Sequence, residues 1–184
     1  MSQLDGFTAE DRELLISLFY RVGVFVSYAE DEDGEQDDEL EMKALERILL
    51  AIAKYEKKSE FAMNIAREAI RHKDDWERWN NQTFHVIDDC RKAALMLYNV
   101  VPETDFNRYR YCLIKIAETV ASAYGEFGVD DFEDENEGFF SRVVDKFSTG
   151  LKSSKEDDGF MNITSAEDQA IIDLKNALKK PDEK

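Results

Sequence analysis

Histidine and cysteine are scarce in this chain, two of each in 184 residues, and each scarcity closes off a class of chemistry. Two histidines limit general-base catalysis, and no Ser, Cys or His constellation comes with a plausible base beside it. A glycine-rich phosphate loop and a zinc-ligand spacing are absent as well. Cys90 and Cys112 stand on separate apolar helical stretches and read as buried reduced thiols, because a disulfide framework or a metal site would need a second pair. No apolar run approaches the length of a membrane span, and the start MSQLDGFTAEDRE has neither the basic nor the apolar region of a signal peptide. The expectation is a cytoplasmic protein with no direct membrane insertion.

The most uneven absence is that of positive charge. The windows Glu30 to Glu41 (EDEDGEQDDELE) and Glu126 to Glu137 (EFGVDDFEDENE) hold sixteen of the forty-one acidic residues and none of the twenty-four lysines and arginines. Outside them the chain is close to neutral, so the formal charge of −17 belongs to two places. An acidic balance excludes nucleic acid and anionic membrane surfaces, both of which need a basic stripe to displace counterions. Like charges crowded this closely repel. Three things could compensate them: divalent cations, a basic partner, or hydration in a mobile loop.

What the chain does have is 43% apolar residues, with twelve Phe and seven Tyr, enough for one domain with a core. Apolar residues recur every three or four positions and sustained alternation is absent, which predicts an all-α fold of about seven helices. Thr8 with Asp11 three residues later opens a first helix with a stripe of Leu14, Leu18, Val22, Phe25 and Ala29. A second starts near Asp38, facing inward with Leu45, Ile48, Leu49 and Ile52, and its acid-rich first turn suits the helix dipole. Others are expected over Ser59 to Arg71, Asn81 to Val100, Glu103 to Tyr124 and Glu133 to Phe147, with Pro102 at a helix-starting position. A last amphipathic helix begins at Thr164 and Glu167 and presents Ile171, Leu174 and Leu178. His85 beside Val86 and Ile87 reads as a satisfied structural residue, and Trp76 and Trp79 in DDWERWNN as core. The organisation is a domain over 1–148, a linker over 149–163, a C-terminal helix over 164–179 packing on the domain, and a tail over 180–184.

An internal repeat runs through the domain. A shift of ninety-five residues sets Leu18 on Leu113, Val22 on Ala117 and Phe25 on Val120, and beyond the acids Leu45 on Phe140, Ile48 on Val143 and Leu49 on Val144. The acids match too, Asp31 with Glu126 and Glu39 with Asp134. Each unit is an apolar helix, an acid-rich turn and a second apolar helix, and two such hairpins about an approximate twofold axis would form a bundle.

Hard cations take six to eight oxygen ligands, and a turn after a helix supplies carboxylates and orphan carbonyls together. Asp31, Asp33, Glu35, Asp37, Asp38 and Glu39 are the candidate ligands in the first window, and Glu126, Asp130, Asp131, Glu133 and Asp134 in the second, for calcium or magnesium. The first window is not an EF-hand: with Gly34 at the sixth loop position, Ala29 and Leu40 would occupy the first and twelfth. Nor is this a di-iron bundle, since neither His72 nor His85 follows a Glu three residues earlier.

The stretch Val26 to Leu45, VSYAEDEDGEQDDELEMKAL, resembles the signature of the TerB-like family associated with tellurite resistance, in which an apolar helix ends in Ala-Asp-Gly-x-Ile/Val before an acid-rich helix start. Asp33, Gly34, Glu35, Asp37, Asp38 and Glu39 match it; Gln36 replaces the usual aliphatic residue, and Glu30 to Glu32 lengthen the turn. In the second copy either Tyr124, Gly125, Glu126 and Phe127 or Gly128 and Val129 echo it. The resemblance covers roughly Ala9 to Phe147. It implies an all-helical domain with pseudo-twofold symmetry, acid-lined cation sites and a part in bacterial stress-response systems, often near membranes or with partner proteins. The functional expectation is a non-enzymatic component that binds a divalent cation or a basic protein surface; a homodimer is left open. The rival is a metal-dependent hydrolase using the same carboxylates, which would need an open coordination position and a base in a water-excluding cleft.

Overall fold

The computed structural model describes residues 3–29, 35–122 and 163–181, and of residues 3 and 35–40 the backbone alone. It is all-α, with no strand among the described residues. The seven helices among the described residues are α1 (Ala9–Ser27), α2 (Glu35–Tyr55), α3 (Glu60–Arg71), α4 (Trp76–Asn80), α5 (Val86–Tyr98), α6 (Glu103–Ala121) and α7 (Ser165–Ala177), with 3-10 turns at Gln3–Gly6, Lys73–Asp75 and Thr83–His85.

Local signals in the chain set the helix starts. Thr8 caps α1 by accepting from the Asp11 amide, and its hydroxyl donates to the Asp11 carboxylate at 2.8 Å. Ser59 caps α3 through the Ala62 amide, and Thr164 with Glu167 forms a complete capping box at α7. Pro102, with no amide hydrogen to leave unsatisfied, is the N-cap of α6. The expected helix over Asn81 to Val100 is shorter: Thr83–His85 form a 3-10 turn first, and α5 starts at Val86.

Helix α1 is the axis of the fold. Every residue from Leu15 to Val24 is buried, Arg21 included, and α2, α3, α4, α5, α6 and α7 all contact it. The one-sided stripe expected for α1 is therefore corrected. Its Leu14, Phe25 and Ala29 are only partly buried, while Leu15, Phe19 and Val26 are fully so. A helix surrounded by others needs apolar residues all round, and the run LLISLFYRVGVFV supplies them. Gly23 is required by this packing: a Cβ there would stand 2.6 Å from Leu45 Cδ1, so α1 and α2 approach closely only because none exists.

Around the axis, Leu45, Ile48, Leu49 and Ile52 of α2 are buried, as are Ile171, Leu174 and Leu178 at the C-terminal helix. Helix α7 contacts α5, α6 and α1. Lys175 reaches Glu118 of α6 at 3.0 Å, and Lys180 pairs with Glu103. Tyr109 of α6 donates its buried hydroxyl to the Leu15 carbonyl at 3.1 Å and packs on Phe19. Where α2 turns into α3, buried Glu56 accepts from the Ser59 amide at 3.2 Å and pairs with Arg108, while Ser59 donates to Asp105 at 2.6 Å. Such a network fixes α6 against the α2–α3 corner through Glu56, Ser59, Asp105 and the Arg108 Nη2, although Arg108 Nε is left without a partner among the described residues.

The partner hairpin of the sequence repeat, and with it the helix expected over Glu133 to Phe147, lies outside the described residues.

Candidate functional site

The two acidic windows fall largely beyond what is described. Asp31 and Asp33, and Glu126, Asp130, Asp131, Glu133 and Asp134, lie outside the described residues. Glu35, Asp37, Asp38 and Glu39 occupy the first two turns of α2, where their backbone is helical. The helix begins at Glu35, so the acids after Gly34 sit at an N-terminus whose dipole favours negative charge. On the other side α1 ends at Ser27, with the Tyr28 amide donating back to the Val24 and Val26 carbonyls. Helix α6 ends in the same manner at Ala121, five positions before Glu126 opens the second window, its Ser122 amide bonded to the Glu118 and Val120 carbonyls. Among the described residues no group of three or more His, Cys, Asp and Glu side chains is arranged to hold a metal ion.

A different constellation is fully described. A cleft of about 580 Å³ opens between the first half of α1, the second half of α3 and the short helix α4. From α1 it takes Ala9, Arg12, Glu13 and Ile16; from α3 and the turn after it, Asn64, Glu68, Arg71 and His72; from α4 and its approach, Asp75, Arg78 and Trp79. Leu4 and Asp5 of the first 3-10 turn complete the lining.

The floor of this cleft is built by α4. Trp76 is buried because its ring stacks on Tyr20, centroids 4.7 Å apart, and its indole N–H donates to the Ala69 carbonyl at 2.9 Å. Trp79, buried on the same side, donates from Nε1 to Glu13 Oε1 at 3.3 Å. The two tryptophans are thus core residues that pin α4 to α1.

Along the rim runs a chain of charges. His72 Nδ1 lies 2.9 Å from Asp75 Oδ2; Arg78 donates to Asp75 Oδ1 at 3.1 Å and pairs also with Glu13. The hydrogen bond from His72, then that from Arg78, holds the Asp75 carboxyl below its usual range. Glu13 and Asp75 in turn push the Arg78 guanidinium up. Arg71 is paired with Glu68. No serine, threonine or cysteine belongs to the lining, so the His72–Asp75 pair has no hydroxyl or thiol there to activate. The arrangement can hold a polar molecule in place.

Of these lining residues only Asp75, Arg78 and Trp79 fall in a stretch, DDWERWNN, for which the sequence offers a ligand cage or a cationic-peptide contact as the lesser alternative to a core role. The lining comes from three separated stretches, and charged residues at helical spacing read locally as solvated faces. His85, expected to be a satisfied structural residue, is instead exposed beside Phe84, which is 77% exposed. The reason is the 3-10 turn, which rotates both side chains outward before α5 starts.

No protein-family model matches the chain, and neither a curated protein nor a solved structure does.

Proposed function

We infer that this protein is a non-enzymatic, TerB-like component of a bacterial stress-response system, binding a divalent cation, calcium or magnesium, or a basic protein surface through its acidic segments. The observation that carries the reading is the seating of the first acidic stretch. It joins two helices locked by the Gly23–Leu45 approach, with α1 closed at Ser27 and α2 opening at Glu35. Four of the six candidate ligands, Glu35, Asp37, Asp38 and Glu39, therefore share the first two turns of one helix that packs on α1. Crowded carboxylates raise one another's energy, and a bound cation or basic partner relieves it. The all-helical architecture and the sequence signature at Asp33 to Glu39 support the family resemblance.

Calcium and magnesium titrations at low ionic strength test this. Saturation at a hundredfold over the dissociation constant stabilises by about 2.7 kcal/mol, which raises the melting temperature of a domain this size by several degrees. An unchanged melting curve with both ions, together with no capture of a polylysine probe, overturns the reading.

A further inference from the structure

The cleft on α1, α3 and α4 lies roughly 20 Å from the end of α1, counted at about 1.5 Å per residue from Arg12 to Ser27. It is a separate place on the molecule. Arg12 is half-buried in its wall, and it is the one arginine among the described residues whose side chain makes no hydrogen bond, ion pair or ring contact. Arg21, Arg71, Arg78, Arg91 and Arg108 are all in ion pairs, and the others have polar or ring partners. A guanidinium cannot shed its charge, so one held in a wall without a partner is a standing anion receptor.

The rest of the cleft carries the opposite demand. Glu13 accepts from Arg78 and Trp79 through Oε1 and Glu68 from Arg71 through Oε1, leaving both Oε2 atoms without a donor among the described residues. Asn64 accepts from Arg67 through Oδ1, at 3.4 Å, and its Nδ2 has no acceptor. Counted formally, the lining sets three arginines against four carboxylates in a chain of net charge −17. A plain anion would meet that excess, and a plain cation would leave Arg12 unanswered. A molecule bearing both charges meets neither objection.

We propose that this cleft binds a small zwitterion of the α-amino-acid type, a free amino acid or the ends of a short peptide. Its carboxylate lies on Arg12 and the Asn64 amide, and its ammonium on the open oxygens of Glu13 and Glu68. Leu4 and Ile16 supply apolar wall for an aliphatic side chain, and about 580 Å³ is room for either ligand. The site does not depend on the acidic segments, and a null calcium titration leaves it standing.

Calorimetry and Trp79 emission on the full chain, with L-leucine, L-leucyl-L-leucine, N-acetyl-L-leucine and L-leucinamide as probes, test the proposal. Saturable binding of leucine or of the dipeptide is expected, and whichever binds more tightly names the source. The acetylated and amidated forms, each missing one charge, should bind about tenfold more weakly or worse. Arg12→Gln should weaken the zwitterion by about tenfold or more, while Arg12→Lys keeps part of the affinity. Failure of both zwitterions to saturate, equal binding of N-acetyl-leucine, or full affinity in R12Q overturns the site. Should R12Q not fold, amide shifts of the wild-type chain decide: changes on adding the bound zwitterion that spare Arg12, Asn64 and Glu68 overturn it as well.

Discussion

Arg21, in the middle of the axial helix, reaches Asp89 of α5 at 2.6 Å while its own side chain is 2% exposed. The same Nη2 donates to the Gln82 carbonyl at 2.5 Å, and Nε has no partner among the described residues. A single guanidinium therefore ties α1 both to α5 and to the turn before it. Breaking a buried pair from one side leaves an uncompensated charge, at a cost of about 3–5 kcal/mol. Asp89 is a quarter exposed, so water softens the loss.

Asp89→Ala is accordingly expected to destabilise by about 3 kcal/mol, the low end of that range. Arg21→Met, which removes the charge and keeps the stem, should cost clearly less. Urea unfolding of the two variants checks this. A harmless D89A would mean that Arg21 finds its compensation elsewhere.

Gly23 gives a second expectation. Alanine has the better helix propensity, by about 1 kcal/mol, yet its methyl would sit 2.6 Å from Leu45 Cδ1. Leu45 is fully buried and has little room to turn away. Overpacking of this kind costs about 1–3 kcal/mol, so the balance for Gly23→Ala is a net destabilisation of about 1 kcal/mol. Pairing it with Leu45→Val should recover most of that loss, since the clash is with the outer carbon of Leu45. A G23A variant more stable than wild type would show that α2 yields freely.

Burial raises the thiol of Cys90 from 9.0 to about 12, and burial with the neighbouring Glu56 raises that of Cys112 as well. The buried hydroxyl of Tyr109 is pushed well above 10.0, chiefly by burial. For groups that stay neutral in the fold, the unfolded chain releases protons first as pH rises. For Cys90 the stabilisation is full below about pH 9 and is lost as the pH rises to about 12; for Cys112 the loss also starts near pH 9 but continues higher, and for Tyr109 it starts only near pH 10, each by up to about 1.4 kcal/mol per pH unit. Stability should thus fall steeply above pH 9, and less steeply in Cys90→Ala. Neither thiol should react with iodoacetamide at neutral pH until urea unfolds the chain. Rapid alkylation of the native protein would contradict the burial.

How much of this could be read in the chain depends on how local the signal is. Thr8, Thr164 and Glu167 announce their caps within four residues, and α2 shows its buried face by period alone. Helix α1 is only half legible: its stripe accounts for Leu18 and Val22, and only the helices around it explain a full circumference of buried apolar residues. The cleft was illegible for the opposite reason. Arg12, Asn64 and Glu68 are ordinary surface residues in sequence, and they become a site only when α1 and α3 are set side by side. The nearest sequence hint was the pair Trp76 and Trp79, which anchor the short helix that floors it.

The acidic stretch offers the last test, since the charges there act in two directions. Replacing Asp31, Asp33, Asp37 and Asp38 by Asn keeps size and polarity and removes four charges. Without a ligand the mutual repulsion falls, but Asp37 and Asp38 stand in the first turn of α2, where each carboxylate contributes about 0.3–1 kcal/mol against the helix dipole. The two effects oppose, so apo stability should move by no more than about 1–2 kcal/mol. The calcium-induced rise in melting temperature, by contrast, should vanish. The corresponding change at Asp130, Asp131, Glu133 and Asp134 should do less, because the signature there is degenerate. Calorimetric cation affinity and apo melting of both quadruple variants separate the cases. Equal loss from both would mean two equivalent sites, whereas a first-window variant with intact cation affinity would remove Asp31 to Asp38 as ligands.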